Sequence, residues 1–415
     1  MRVCLVTFGS AGDVHPMLAL GKALGTRGHS VTLLTNPAFA EAAATSGLDF
    51  VPVGEERHYR ETISHPKLWH PIDGFGVMWR YLLRPALAPT YLRIAELAAA
   101  RRCIVIASPL AMGARVAQEK LGIPLITTYT SATMLRTVCD PMTMAQWRVP
   151  AWLPAGLRRA AWALLDRYKL EPLVRPALEG LRGELKLPPL REPVFGRWMH
   201  SPAGGLALFP AWFAPAASDW PEQVVQAGFP LYEDDAVQPD PPELEAFLRA
   251  GPPPVVFMPG TAQHDGGHFY EAAIRACAAT GQRGLLLGAV PVEISRSLPR
   301  HVQAAPYAPF ARLLPRARAL VHHGGIGSSA QALRAGIPHL VVPSAYDQFD
   351  NAMRLERLGV GLSLPPGLGG LAGMSTRLGQ LLGMDSVALA CARCSEKTHA
   401  RDAHESAARL VERLA

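Results

Sequence analysis

The sequence predicts two doubly wound α/β domains in tandem, and three observations predict them. At 415 residues the chain suits two cores of ordinary size better than one. Short continuous apolar runs alternate with helical patterns almost throughout, as expected of parallel strands covered on both faces. Between Pro215 and Pro242 the alternation stops in a proline-rich stretch carrying Glu233-Asp234-Asp235, and afterwards it restarts.

The elements follow in order. Arg2–Phe8 reads as the first buried strand, followed by a glycine-rich turn and a helix near Pro16–Thr26. Ser30–Thr35 is a second strand, Pro37–Ser46 a helix and Leu48–Val53 a third strand; Cys103–Ser108, Leu125–Thr130 and Leu206–Phe209 continue the series. After the break, Val255–Met258, Gly284–Leu287, Val302–Ala304, Ala319–His322 and His339–Val342 are strands, and about Asp385–Leu414 is helical. This divides the chain into residues 1–215, a linker 216–242, and residues 243–415, with the terminal helix a candidate to pack back on the first domain. Ligands of such folds bind at the carboxyl ends of the strands, so a cleft between two such sheets is the expected site.

Composition narrows the class. Hydrophobic residues make up 49% and charged residues 18%, which argues against disorder. The net charge of +7 is dispersed, with no run of five like charges, so no nucleic-acid partner is expected; weak attraction to an anionic membrane surface fits such a balance. No apolar stretch has the length of a membrane span, and the N-terminus lacks the pattern of a signal peptide, so the chain reads as cytoplasmic, peripheral to a membrane at most. The six cysteines are scattered, and Cys391 and Cys394 form a lone CxxC that is weak support for metal or redox chemistry.

The segment Ala319-Leu320-Val321-His322-His323-Gly324-Gly325-Ile326-Gly327-Ser328-Ser329 holds the most chemical information. An apolar strand ends, three glycines permit a tight turn, and a helix begins with two serines. Free N–H groups and the positive helix end make such a turn an anion site, and a histidine at the strand end adds a donor. No Gly-Lys-Ser/Thr follows, so it is not a P-loop. Gly325–Ala330 also matches the GxGxxA of dinucleotide folds, with Asp347 at the distance of a ribose acid. The intervening strand, however, stops at Pro343, and paired histidines are foreign to that fingerprint.

Tyr307-Ala308-Pro309, His322–Ser328 and Asp347-Gln348-Phe349-Asp350-Asn351, in that order, resemble the donor-binding signature of family 1 glycosyltransferases of the GT-B fold. The resemblance implies Tyr307 against the nucleobase, Ala308 reading its edge through the backbone, and His322 or His323 on the diphosphate with Gly324, Gly325, Gly327 and Ser328. It implies Asp347 and Gln348 on the sugar hydroxyls. Thr261, in the glycine turn after the first strand of this half, stands where the family approaches the donor phosphates.

The first strand of the chain ends in Gly9-Ser10-Ala11-Gly12-Asp13-Val14-His15-Pro16. Many members of the family carry a histidine base after this glycine, whereas Asp13 stands there in this chain. An aspartate, with a reference pKa of about 3.9, is a weak base toward an alcohol and would take the proton late. His15 is the rival base, and helix capping is the structural alternative for Asp13. No DxD pair falls on a site loop, so no metal and no other cofactor is expected, the diphosphate being neutralised by helix and histidine donors.

Further blocks, among them Lys67–Pro71, Phe75–Trp79, Arg197–Pro202 and Phe209–Pro215, resemble the rhamnosyltransferases of rhamnolipid biosynthesis over nearly the full length. That resemblance implies inverting transfer of L-rhamnose from dTDP-β-L-rhamnose to the hydroxyl of a 3-(3-hydroxyalkanoyloxy)alkanoic acid. Trp69, Phe75 and Trp79 lie in an aromatic-rich stretch suited to a lipophilic acceptor, although core packing explains such residues equally well. A glucosyl or other dTDP-sugar donor with a sterol, macrolide or other lipid acceptor stays open, as do a nucleotide-sugar epimerase and a non-catalytic partner of the same architecture.

Overall fold

The structure is a computed structural model describing residues 1–70, 73–144, 147–150, 152–232, 241–260, 266–364, 370–400 and 402–414. It holds two compact units, residues 1–142, 148–232 and 402–415 in the first, 143–147 and 233–401 in the second.

The first unit is built on the strands Arg2–Val6 (β1), Ser30–Thr35 (β2), Asp49–Pro52 (β3), Ile104–Ala107 (β4) and Leu125–Tyr129 (β5). Two short strands, Thr143–Met144 (β6) of the second unit and Trp147–Arg148 (β7) at the boundary, pair with each other, and Gly205–Ala207 (β8) and Val224–Gln226 (β9) complete the first sheet. Its order is β3-β2-β1-β4-β5-β8-β9, all parallel. Successive side chains of a strand point to opposite faces, and β1 shows the result. Val3 and Leu5 join a core with Met17, Leu20, Leu410 and Val411, while Cys4 and Val6 join another with Trp79, Leu82, Val174 and Trp198.

One boundary differs from the sequence reading, and the candidate packing of the terminal helix on the first domain is present. The stretch 216–242 reads as a linker, yet Val224–Gln226 is the edge strand of the first sheet. Three residues between prolines are too short to show a period, and an edge strand needs only one partner. The terminal helix Ala403–Leu414 belongs to the first unit, where it buries Ala407, Ala408, Leu410 and Val411. Arg27 spans two of its turns, binding Glu405 at 2.8 Å and Glu412 at 2.6 Å.

The second sheet comprises Val255–Met258 (β10), Gly284–Leu287 (β11), Val302–Ala305 (β12), Ala319–His322 (β13), His339–Val341 (β14) and Gly361–Ser363 (β15). Its order, β12-β11-β10-β13-β14-β15, is again all parallel. Both sheets therefore wind outward from a first strand, and each reverses direction beside it: between β1 and β4 in one unit, between β10 and β13 in the other. Such reversal points are where open α/β sheets leave room for ligands.

Candidate functional site

At the reversal point of the second sheet, β13 ends in the His322–Gly325 turn and the helix Ile326–Ala335 begins. Gly324 has φ +90°, and a Cβ there would stand 2.6 Å from Val341 Cγ1, so only glycine fits the turn. Ser329 makes the first intrahelical bond, to the Gly325 carbonyl at 3.0 Å. The N–H groups of Ile326, Gly327 and Ser328 precede it and have no intrahelical partner. The first turn of this helix carries no acidic residue.

The two histidines have different surroundings. His322 is wholly buried; its Nδ1 accepts from the Gly324 N–H at 3.2 Å, which leaves Nε2 to donate to His339 Nδ1 at 3.3 Å. Both ring nitrogens are thus spent inside the fold. His323 stands between two glycines: a Cβ on Gly260 would lie 3.0 Å from its Nδ1, one on Gly325 2.4 Å from its Nε2. Its Nδ1 has no partner among the described residues. Burial pushes His323 down to about 4 and His339 to about 3. His322 is also driven well below its ordinary value, by burial first and then by its two histidine neighbours. All three rings are neutral at pH 7.

The helix Gln348–Arg357 starts beside this turn, with Asp347 in the N-cap position. Asn351 fastens the two together: its Nδ2 donates to the Gly324 carbonyl at 2.9 Å and to Asp347 Oδ2 at 2.8 Å. Asn351 was given no separate role by the sequence, although its spacing of four from Asp347 places both on one helix face. Gln348 is buried, and its Oε1 accepts from Ser344 N, Ser344 Oγ and Ala345 N at 2.8, 2.9 and 3.1 Å. Only its amide nitrogen is left to meet a ligand. Tyr346, unmentioned by the motif, adopts φ +52°, which is uncommon for a side chain of that size, and is partly exposed. Asp350 is spent on Arg354 at 2.7 Å and on the Thr143 amide at 3.1 Å. Past β12, Tyr307 presents 56% of its surface while Ala308 is buried. Thr261 and Asp234-Asp235 lie outside the described residues. Among the described residues, no cluster of three or more His, Cys, Asp or Glu could hold a metal.

In the first unit the sequence places the helix start at Pro16; the structure starts it at Ala11, with Ser10 as N-cap. Asp13 therefore sits in the first turn, and its Oδ2 accepts from Ser10 N at 2.9 Å and Ser10 Oγ at 3.3 Å. The carboxylate folds back over Gly9, where φ is +144° and a Cβ would meet Oδ2 at 2.1 Å. His15 is two residues further along the same helix, about 200° around its axis. Its ring lies 4.7 Å from that of Tyr232. Asp13 and His15 thus leave the helix on different sides.

The aromatic stretch needs correcting. Trp79 is a core residue, packed with Leu82, Leu83, Val174 and Trp198, and has no surface for an acceptor. Phe75 leans on that core with its ring 5.5 Å from Phe195. Helical periodicity buries one side of this segment against β1 and β4, and the aromatic count alone does not say which side. Trp69 remains half-buried.

Comparison with known proteins matches each half of the chain, the C-terminal match running on into the terminal helix of the first unit. The model of the glycosyltransferase family 28 N-terminal domain matches residues 3–139, and that of the erythromycin biosynthesis protein CIII-like C-terminal domain matches 286–413. The O-mycaminosyltylonolide 6-deoxyallosyltransferase of Streptomyces fradiae is 30% identical over 387 residues, 86% of this chain and 84% of that protein. Among solved structures, the glycotransferase of kitacinnamycin superposes with a TM-score of 0.75 at 23% identity, covering 100% of this chain and 98% of its own. The glycosyltransferase VinC in complex with dTDP gives 0.70 at 22%, covering 100% and 99%. With its two Rossmann-like sheets, and with that identity held over most of both chains, this protein belongs to the family 1-type glycosyltransferases of the GT-B fold, alongside the antibiotic glycosyltransferases.

Proposed function

We propose that this glycosyltransferase is an inverting rhamnosyltransferase that moves L-rhamnose from dTDP-β-L-rhamnose to the hydroxyl of a 3-(3-hydroxyalkanoyloxy)alkanoic acid. The observation that carries donor binding is the acid-free start of the helix Ile326–Ala335, with His323 beside it. Three N–H groups and a positive helix end receive the diphosphate, and His323 adds a ring donor. His322 serves the turn by holding the Gly324 N–H and does not touch the donor. Tyr307 offers an exposed ring to the thymine and Ala308 its backbone. Asp347 and the amide of Gln348 hold sugar hydroxyls, Asp347 being steadied by Asn351. VinC, solved with dTDP, supports a thymidine donor.

The acceptor oxygen attacks the anomeric carbon as the bond to the diphosphate breaks, and Asp13 takes the hydroxyl proton. Ser10 fixes the carboxylate for that task through Oδ2. The diphosphate departs as an anion onto the helix N-terminus, so the step needs no other acid. Trp69 is the remaining aromatic candidate for the lipid chain.

Rhamnose and the hydroxyacyl acceptor rest on the sequence blocks described above. Several of those blocks are structural: Trp198 is buried and donates to Glu119 at 2.9 Å, and Ser201 donates to the Leu125 carbonyl at 2.6 Å. They speak for kinship more than for acceptor contact. A second reading, another dTDP-deoxysugar on a macrolide acceptor, is favoured by the Streptomyces relative. The test is a panel of dTDP- and UDP-sugars against hydroxyacyl and macrolide acceptors, read by mass spectrometry. A rhamnosyl product on the hydroxyacyl acceptor is expected. Turnover of the macrolide alone would replace this reading by the second, and epimerisation or hydrolysis without an acceptor product would overturn both.

A further inference from the structure

The helix Ala155–Leu165 exposes apolar residues of a kind that an ordinary surface helix turns inward. None of its residues is buried, and apart from the half-buried Trp162 and Leu165 its large apolar residues are exposed. Leu157, Ala160, Ala161 and Leu164 are all exposed, and their spacing of three, four and seven makes one stripe. Tyr168, four residues beyond Leu164, extends it, and Trp152 precedes the helix. Leu157 and Leu164 present 55% and 56% of their surface, Tyr168 67% and Trp152 81%. Apolar groups gathered in this way on a soluble protein mark an interaction site.

The inner side explains how the helix stays in place. Arg136 pairs with the buried Asp166 at 2.6 Å, and its guanidinium stacks 4.6 Å from the Trp162 ring. Asp166 is the only acidic residue between Trp152 and Leu170, and it is turned inward and neutralised. The outward charges are all basic: Arg159, Arg167 and Lys169 are exposed. The surface therefore combines an apolar stripe, an uncompensated basic border and an aromatic residue near each end.

We infer that this face docks on an anionic lipid bilayer. The stripe enters the boundary between headgroups and acyl chains, the basic residues meet lipid phosphates, and Trp152 and Tyr168 sit at the headgroup level. A protein partner of acidic character would satisfy the charges, but the interfacial aromatics favour lipid. The inference is independent of which sugar and acceptor the enzyme uses.

Co-sedimentation of the full-length protein with vesicles tests it. The protein is expected to sediment with phosphatidylglycerol-rich vesicles, less so at high salt, and to stay in solution with phosphatidylcholine alone. Leu157→Glu with Leu164→Glu should abolish sedimentation. Arg159→Ala with Lys169→Ala should weaken it about thirtyfold, at roughly a factor of five per basic residue near such a surface. Thermal melting and dTDP titration of each variant, expected to match the parent, separate this from misfolding. Parent protein that ignores anionic vesicles, or variants that sediment as the parent does, would overturn the inference. So would a dimer in ultracentrifugation that Leu164→Glu dissolves without any vesicle binding, which would assign the stripe to self-association.

Discussion

Replacing His323 by alanine should weaken dTDP binding while leaving the fold intact, and replacing His322 should do the reverse. With burial holding His323 near 4, its ring is neutral at pH 7.5 and gives the diphosphate a neutral donor. A hydrogen bond to a charged partner contributes about 1.5–3 kcal/mol, so Kd should rise roughly 10- to 150-fold. The ring lies against two glycines and keeps some exposure, so its loss should move the melting temperature little. His322→Ala instead empties a fully buried site and strands the Gly324 N–H and His339 Nδ1. That should cost about 2–5 kcal/mol of folding stability. Isothermal titration calorimetry with dTDP and scanning calorimetry on both variants give the comparison. If His323→Ala binds dTDP within about twofold of the parent, or if His322→Ala loses binding at an unchanged melting temperature, the division of labour between the two rings is wrong.

Asp13→Asn keeps an oxygen for the Ser10 N–H, so the helix start survives while the base is lost; kcat should fall by about 10²–10⁴ with dTDP affinity unchanged, and His15→Ala should leave kcat close to the parent's. Trp79→Ala, in the core, should cost about 3–5 kcal/mol in urea unfolding, whereas Trp69→Ala should leave stability nearly unchanged and raise KM for the lipid acceptor. Stability should fall as pH drops from 6.5 towards 4. The unfolded chain protonates its histidines near 6.5, while His323 and His339, held near 4 and 3, stay neutral until lower pH. Across that window the unfolded state binds more protons, giving a slope of up to about 1.4 kcal/mol per pH unit for each fully shifted histidine. His339→Phe should flatten the dependence of the urea midpoint on pH; an unchanged slope would mean that His339 contributes nothing to it.

The strands Ser30–Thr35, Val255–Met258, Gly284–Leu287 and Ala319–His322 have the same limits in sequence and structure. They are short and mostly apolar, and burial on both faces admits few polar positions to blur the pattern, the hydroxyls of Thr32 and Thr35 being buried with the rest. The start of the first helix was lost because Pro16 looks like a first-turn proline. Ser10 and Asp13 were spaced to cap a helix from Ala11 all along, and their bond is what the structure adds. Trp79 was illegible for another reason: an aromatic residue serves a core and a lipid groove equally well, and only the packing of its helix decides. The choice between His322 and His323 depends on His339, seventeen residues away, whose ring takes the His322 proton donor. No local pattern carries that information.

The two units share a wound order and differ in what occupies the helix start at the reversal point. Each of the two helices begins with unpaired N–H groups and a positive end equivalent to about half a charge. In the first unit the chain supplies its own anion: Asp13 lies in the first turn and binds the Ser10 N–H. A phosphate arriving there would meet a carboxylate. In the second unit the helix from Ile326 has glycine at its N-cap and no acid in its first turn, so no carboxylate of that turn neutralises its N–H groups. In the proposed reading, that difference of charge sends the diphosphate to the second sheet and leaves the first with a carboxylate suited to accepting a proton. Asp13 in place of the usual histidine fits that division, since it serves as helix cap and candidate base in one side chain, while the neutral His323 lies on the sheet proposed to take the anion.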